Sequence, residues 1–151
     1  MGITLRTERF ETFRPDAAPL ARRHWEESAS GVITEKPAVD AALYHKMDAA
    51  GMLHITTARD GATLVGYAVY ILSPTNQHYR GMATAESDAF FLLPEYRRGW
   101  DGLRMLQHAE AMLAARGVVL ISQRFPASRE YGALFRRMGY RLEEHLYMRR
   151  L

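Results

Sequence analysis

Alternating and recurring apolar positions divide the chain into a series of strands and helices. Strands are indicated where apolar residues alternate or run together, and helices where they recur at every third or fourth position. The predicted strands cover residues 3–13, 52–59, 63–72, 83–93, 118–125 and 140–149. The predicted helices cover residues 17–28, 39–50, 101–116 and 128–138. The resulting order, β-α-α-β-β-β-α-β-α-β, is typical of a mixed α/β domain.

Turn and breaker residues mark the ends of several elements. Asp60-Gly61 between two apolar runs is the sharpest hairpin signal in the sequence. Pro15 is predicted to break the first strand, and Asp16 is placed to cap the helix that follows. Ser30 lies where that helix is predicted to end.

The other elements carry comparable signals. Asp40 lies near the start of the second helix, and Gly51 lies just past its end. The run over residues 118–125 is almost continuously apolar, which is typical of a strand buried on both faces. The third helix has a core-facing stripe formed by Leu103, Leu106, Ala109, Met112 and Leu113.

Length and composition narrow the class of protein. A chain of 151 residues, 48% hydrophobic and 25% charged, is expected to form one globular domain over residues 1–151. The absence of cysteine excludes disulfides, thiolate metal sites and cysteine nucleophiles. Six scattered histidines without metal-ligand spacing indicate no metal site. Without a signal segment or an apolar run of about 20 residues, we expect a cytoplasmic protein with no membrane contact.

The charge balance is weakly basic and rich in arginine. The formal net charge is +3 and the isoelectric point is about 9.4. Of the 20 basic residues only Lys36 and Lys46 are lysines. Arginine binds phosphate bidentately, but the composition of a GC-rich genome gives the same bias. The basic residues form no block along the chain, so a nucleic-acid partner is not expected.

The segment over residues 90–103 carries the most chemical information. A buried strand leads into a short turn with two glycines and two arginines, and this turn opens a helix. The first amides of a helix lack intrahelical acceptors, and its dipole favours negative charge there. Glycines admit phosphate close to the backbone, and Arg97 and Arg98 can add charge-assisted contacts. The segment therefore predicts a pyrophosphate cradle; the alternative is an ordinary strand-to-helix turn with surface arginines.

This segment resembles the acetyl-coenzyme-A-binding motif of the GNAT superfamily of N-acetyltransferases. Leu92-Leu93-Pro94 fills the family's apolar-x-Pro step, and residues 97–102 fill its Arg/Gln-x-x-Gly-x-Gly/Ala frame. Residues 134–140 resemble the family's later helix with its closing Gly-aromatic step. The resemblance implies a GNAT-like α/β fold, in which a central, mixed, mostly antiparallel sheet is flanked by helices. The sheet would be split between residues 83–93 and 118–125 where the coenzyme enters.

The resemblance also implies acetyl-coenzyme A as co-substrate, without a metal. Leu92 would offer a backbone amide to the thioester carbonyl, and the pantetheine arm would follow Phe91 to Leu93. The implied coenzyme-binding residues are Phe91, Leu92, Leu93, Arg97, Arg98, Gly99, Trp100, Asp101, Gly102 and Leu103.

Two positions depart from the family pattern. Trp100 stands where the middle glycine of the cradle is usual, so the turn must be remodelled or the ring must point away from the phosphates. Phe135 stands where the family commonly has a tyrosine as general acid. Tyr131, one helical turn earlier, is a candidate substitute, as is Tyr96; a packing role is the alternative for both.

Two carboxylates are candidates for the general base. Glu86 and Asp88 are two positions apart on the strand that enters the cradle, which predicts that both point to the same face as Phe90 and Leu92. In the resembling family an acidic residue of this stretch often accepts the amine proton, and either position fits. The alternative is a solvated acid at a strand end.

These observations favour an acetyl-coenzyme-A-dependent N-acetyltransferase that modifies a primary amine on a small molecule or a protein. The alternative is a catalytically weak or inactive GNAT-like domain that binds coenzyme A or a protein. Acceptor contacts are expected between the first two helices and around residues 73–82, and Tyr67 and Tyr70 lie on opposite strand faces, one of them toward the groove. A homodimer is left open.

Overall fold

A computed structural model describes residues 2–28 and 31–151 as a five-stranded sheet with helices on both faces. The strands are β1 (Thr4–Thr7), β2 (Leu53–Asp60), β3 (Thr63–Ser73), β4 (Thr84–Leu92) and β5 (Leu120–Ser122). The helices are α1 (Phe10–Ser28), α2 (Ala41–Ala49), α3 (Asp101–Ala115) and α4 (Gly132–Arg137), and a 3₁₀ turn covers Pro94–Tyr96. Strands follow the order β1-β2-β3-β4-β5, antiparallel except for the parallel β4–β5 pair. The predicted mixed, mostly antiparallel sheet is confirmed.

Local signals placed the central elements correctly. Gly61 adopts a φ of 60° in the turn that joins β2 to β3, where Asp60 pairs with Thr63. Asp40 is the N-cap of α2, and its carboxylate accepts a hydrogen bond of 3.0 Å from the Leu43 amide. Four buried residues hold α3 against the sheet: Met105, Leu106, Ala109 and Leu113. The predicted stripe is wrong at Met112, which is 36% exposed. Tyr67 packs on the α1 face of the sheet and Tyr70 on the α3 face, so the prediction that they lie on opposite faces is confirmed.

The start of the chain differs from the prediction, because β1 ends at Thr7 and α1 already begins at Phe10. The Asp48 carboxylate of α2 accepts a hydrogen bond of 3.0 Å from the Phe10 amide, which satisfies a free donor at the helix start. The sequence could not show this contact, which spans 38 positions. Pro15 lies inside α1 on its exposed side rather than at a strand end. The predicted cap at Asp16 is also wrong, because this residue lies inside α1, where its carboxylate pairs with Arg59. The predicted helix end at Ser30 lies outside the described residues.

The end of the chain also differs from the prediction. The strand predicted over 118–125 forms only at its centre, as the three-residue edge strand β5. Leu120 is half exposed, so the expected burial on both faces is wrong. α4 is shorter than predicted, at Gly132–Arg137. The strand predicted over 140–149 is not formed, because no strand of the described chain lies beside this segment. Instead the segment runs exposed along the surface, and Arg150 forms an ion pair with Glu35.

A β-bulge interrupts the pairing of β4 with β3. Val69 pairs with Ala89 and Tyr70 pairs with Ser87, so Asp88 has no partner in the register. A bulge adds one residue to one strand and therefore shifts the alternation of side chains beyond it. Ala85, before the bulge, and Phe90, after it, both pack on the α3 face, although their spacing is odd.

Beyond the bulge, β4 and β5 separate. Their parallel pairing ends at Glu86 and Ser122. One further contact follows, in which the Arg124 amide donates to the Ser87 hydroxyl at 2.7 Å. The sheet is therefore open between the second half of β4 and the segment after β5, at the place predicted for the split.

A buried histidine on β2 makes the stability of this fold dependent on pH. His54 is 1% exposed, its Nε2 lies 2.9 Å from the Thr56 hydroxyl, and its Nδ1 has no partner among the described residues. Burial lowers the pKa of His54 to about 4, below about 6.5 for an unfolded chain. The unfolded state therefore binds more protons, and stability falls as the pH falls below about 6.5.

We expect this residue to remove about 2 kcal/mol of stability between pH 7 and pH 5. Urea unfolding of the wild type and of His54→Leu at both pH values tests this. The leucine variant should lose about 2 kcal/mol less than the wild type over this interval. An equal loss in the two proteins would contradict the assignment.

Candidate active site

A cavity of about 440 Å³ occupies the opening between β4, α3 and the segment after β5; we call it the β4–α3 cavity. Its walls come from α1, β4, the turn before α3, the start of α3 and residues 124–135. The residues that define it include His24, Leu92, Gly102, Phe125, Tyr131 and Phe135. The position and size suit an extended small molecule that enters between separated strands.

The N-terminus of α3 opens into this cavity. The first intrahelical bond runs from the Arg104 amide to the Trp100 carbonyl at 2.8 Å, so the amides before Arg104 have no acceptor within the helix. Gly102 and Leu103, both in this first turn, line the cavity. A Cβ atom on Gly102 would lie 3.9 Å from the Phe90 ring, so the position faces the cavity wall without crowding. Free amides and the helix dipole together suit an anionic group.

The turn before α3 depends on a glycine and an arginine. Gly99 adopts a φ of 137°, which side-chain-bearing residues rarely reach. The Arg97 guanidinium donates to the Leu92 carbonyl at 2.6 Å and to the Glu27 carboxylate at 2.7 Å, and it lies 5.3 Å from the Phe91 ring centroid. Arg97 therefore fastens the turn to β4 and α1, in addition to facing the cavity.

Most of the residues predicted to bind the coenzyme surround this cavity. Those that line it are Phe91, Leu92, Arg97, Gly99, Trp100, Gly102 and Leu103. Trp100 is 72% exposed. Three of the predicted residues are not among the lining residues: Leu93, Arg98 and Asp101. Leu93 uses its amide in the sheet by donating to the Val65 carbonyl at 2.9 Å, and Asp101 pairs with Arg104 at 3.1 Å.

A second cavity, of about 300 Å³, lies between α1, α2 and the sheet face that α1 covers; we call it the α1 cavity. Asp88 and Ala89, at the β4 bulge, line both cavities. The Tyr44 hydroxyl of α2 donates to the Asp88 carboxylate at 2.5 Å. The bulge therefore places one carboxylate where the two spaces meet, and Tyr44 fixes its orientation.

The structure separates the two candidate bases. Glu86 forms an ion pair with Arg124 and lines neither cavity, whereas Asp88 lines both. The expectation that these carboxylates share a face with Phe90 and Leu92 is wrong. The bulge turns Phe90 and Leu92 toward the α3 side, and Asp88 contacts α2 on the other side.

The aromatic residues of α4 form the far wall of the β4–α3 cavity. Tyr131 is the N-cap of α4, and its ring centroid lies 4.8 Å from that of Phe125. Phe135 packs on the same ring at 5.0 Å. Within the described part of the chain, no hydrogen-bond partner of the Tyr131 hydroxyl is found. The Tyr96 hydroxyl instead donates to Asp60 at 2.8 Å, outside the lining of both cavities, so Tyr131 is the better placed of the two.

The structure brings together a histidine and a tyrosine, between the two cavities, that the sequence analysis did not predict as a pair. His24 lines the β4–α3 cavity, Tyr67 lines the α1 cavity, and the His24 Nδ1 lies 3.0 Å from the Tyr67 hydroxyl. Burial lowers the pKa of His24, so its imidazole is mostly neutral at pH 7. Burial raises the pKa of Tyr67, which keeps its proton. The two residues are 43 positions apart, so no local pattern could have paired them.

Within residues 2–28 and 31–151, no group of three or more His, Asp or Glu side chains is arranged to hold a metal ion. No described helix combines the length and the apolar character that crossing a bilayer requires.

The fold is that of the GNAT acetyltransferases, as the motifs predicted. An aminoglycoside acetyltransferase from an uncultured soil metagenomic sample superposes with a TM-score of 0.75 at 13% identity, over 100% of this chain and 99% of that chain. No family model matches the sequence, and no curated protein matches it significantly.

Two other solved structures are similarly related. The ribosomal-protein-alanine N-acetyltransferase of Brucella melitensis biovar Abortus 2308 gives a TM-score of 0.71 at 14% identity, over 98% of this chain and 99% of that chain. The crystal structure of a predicted acetyltransferase from Clostridium acetobutylicum with acetyl-CoA gives a TM-score of 0.73 at 10% identity, over 97% of this chain and 94% of that chain. At these identities the likeness establishes the fold.

Proposed function

We propose that this chain is an acetyl-coenzyme-A-dependent N-acetyltransferase that acts on a primary amine. The observation that carries the proposal is the position of Asp88, a carboxylate between the cavity at the α3 N-terminus and the α1 cavity. One domain over residues 1–151 would do this work, in the cytoplasm, with no membrane or nucleic-acid partner. The similar structures are named for ribosomal-protein alanine and for aminoglycosides, so likeness alone leaves the acceptor open.

The β4–α3 cavity would take the coenzyme. The pyrophosphate would lie on the free amides at the start of α3, where Gly102 leaves room for it. The pantetheine arm would follow β4 from Leu92 toward the bulge, in the space left by the separation of β5. When bound, acetyl-coenzyme A supplies an acyl carbon whose bond to sulfur breaks as its bond to the amine nitrogen forms.

Two side chains would transfer protons, Asp88 as the general base and Tyr131 as the general acid. Asp88 accepts a proton from the incoming ammonium, directly or through water, because only the neutral amine has a lone pair to attack with. Tyr44 holds the carboxylate in place through its hydrogen bond. On the far wall, Tyr131 would give a proton to the departing sulfur and would regain one, through solvent, as the nitrogen loses its second proton and the amide forms. The ammonium thus loses two protons: one ends on the free thiol, and the other is released to solvent from Asp88, with the acetylated amine as the second product.

Coenzyme binding followed by thiol release tests this function directly. Coenzyme A at 100 times its dissociation constant should stabilise the fold by about 2.7 kcal/mol. Acetyl-coenzyme A with a panel of primary amines should then release thiol in proportion to acetylated product. The absence of binding at millimolar coenzyme A in a calorimetric titration would overturn the proposal.

Phe135 favours a second candidate, a GNAT-like domain without catalysis. It packs between Phe125 and Tyr140, with ring centroids at 5.0 and 5.3 Å, and it has no proton to give. Such a module would bind coenzyme A or a protein without turnover. Binding of coenzyme A with no thiol release for any amine would identify it.

The role of Tyr131 leads to a matched pair of variants. Tyr131→Phe should lower kcat by about tenfold, less than the usual general-acid effect of about 10²- to 10⁴-fold, because a thiol with a pKa near 8.5 leaves without much help. Adding Phe135→Tyr to that variant should restore part of the rate, since the new hydroxyl would lie on the same wall. Steady-state rates at saturating amine measure both effects. Unchanged kcat in Tyr131→Phe would show that Tyr131 is not the general acid and has only a packing role.

A further inference from the structure

We infer that the acceptor is a compact primary monoamine with an aryl or alkyl body, bound in the α1 cavity with its nitrogen at Asp88. This inference rests on the proposed function and specifies its substrate class. The floor of the cavity is apolar: Ile55 and Val69 are 1% and 4% exposed. Its walls add the rings of Phe10, Phe13, Tyr44 and Tyr67. A volume of about 300 Å³ lies at the small end of ligand sites, which run to about 1,000 Å³.

The charges around this cavity suit one ammonium group. Among its lining residues, all within the described chain, Asp88 is the one carboxylate and Arg14 the one cation. Two other acids on the same helices are engaged elsewhere: Asp16 pairs with Arg59 at 2.8 Å, and Asp48 pairs with Arg9 at 2.9 Å. A second ammonium held inside the cavity would therefore face apolar walls or Arg14, with no second carboxylate to pair with it. An unpaired charge in such surroundings is strongly unfavourable.

The hydroxyl groups in the cavity are already paired within the protein. The Tyr44 hydroxyl donates to Asp88, and the Tyr67 hydroxyl lies 3.0 Å from the His24 imidazole. A substrate with many hydroxyls would bury groups for which the lining offers few free partners, and each such group is costly to bury. Aromatic rings stand beside the carboxylate, with Phe10 stacked on Tyr44 at 5.2 Å, and such rings attract an organic cation. An apolar or aromatic monoamine satisfies all of these groups.

A comparison of three amines as acetyl acceptors tests the inference. Thiol release from acetyl-coenzyme A is measured with 2-phenylethylamine, spermidine and kanamycin at pH 7.5. We expect kcat/KM for 2-phenylethylamine to exceed those for spermidine and kanamycin by at least about tenfold, the cost of leaving buried charges or hydroxyls unpaired. Calorimetry with the coenzyme-A-bound protein should show 2-phenylethylamine binding.

A matched pair of variants locates the site. Ala21→Leu adds bulk to the α1 cavity, so it should raise KM for 2-phenylethylamine about tenfold and leave coenzyme affinity unchanged. Ala111→Leu makes the same change on the exposed side of α3, outside both cavities, and should have no effect.

The outcomes separate this inference from the proposed function. Faster turnover of spermidine or kanamycin would overturn the inference and leave the acetyltransferase function standing. Thiol release with another amine of the panel but with none of these three would overturn the inference alone, whereas thiol release with no amine of the panel would overturn the function. The inference would then still be decided by calorimetry, where failure of 2-phenylethylamine to bind, or equal binding to Ala21→Leu, counts against it.

Discussion

Asp88→Asn is expected to lower kcat/KM for the amine by about 10²- to 10⁴-fold at pH 7, the usual effect of losing a general base. Asparagine keeps the size of the side chain and can keep the contact with Tyr44, but it cannot accept the proton. A lysine-like amine has a pKa near 10.4, so the defect should shrink as the pH rises and more of the amine is neutral. Rates at several pH values between 6 and 9 measure this trend.

Glu86→Gln is the matched control for this variant. Glu86 lines neither cavity and forms a half-exposed ion pair with Arg124, and such pairs contribute little. Its rate should stay near that of the wild type, and coenzyme affinity should be unchanged in both variants. A defect in Glu86→Gln alone would move the base to Glu86. Wild-type rates in both variants would show that neither carboxylate is the general base and that water accepts the amine proton.

Gly102→Glu is expected to abolish coenzyme binding, with a loss of affinity of at least about 100-fold. The new side chain would project from the first turn of α3 toward Phe90 and Leu92 and carry a negative charge to the place of the pyrophosphate. An acidic residue in the first turn favours a helix, so the fold should survive the change. Calorimetric titration with coenzyme A and the melting temperature without it measure the two effects.

Two variants at the same position separate bulk from charge. Gly102→Ala should bind coenzyme A almost normally, because its Cβ would meet its nearest neighbours at 3.9 and 4.0 Å, which is ordinary contact. Gly102→Gln has the length of glutamate without the charge and should fall between the two. Normal binding by Gly102→Glu would place the phosphates elsewhere.

The sequence predicted those parts of the molecule that short-range signals determine. The Asp60-Gly61 turn and most of the apolar stripe of α3 each depend on residues within a few positions of one another. The turn before α3 belongs to the same class, since its glycines and arginines lie within residues 97–102. Most of the residues of this segment that we predict to bind the coenzyme line one cavity, and their binding role stays a prediction.

Long-range contacts explain what the sequence could not predict. The start of α1 depends on Asp48, and the orientation of Asp88 depends on Tyr44, in each case across about 40 positions. The tail over 140–149 has the alternation of a strand, but a strand also needs a neighbour to pair with, and alternation cannot reveal that none is present among the described residues. Side-chain pattern alone was therefore sufficient for α3 and insufficient for the tail.

The bulge at Asp88 has a consequence for how this protein can change. The acid reaches the junction of the two cavities because β4 contains one residue more than β3 requires, so its placement depends on residue count rather than on residue type. Point substitutions along β4 preserve that count, whereas a single insertion or deletion would exchange the two sets of side chains between the faces of the sheet. In a variant library, β4 should therefore accept many changes of residue and few changes of length.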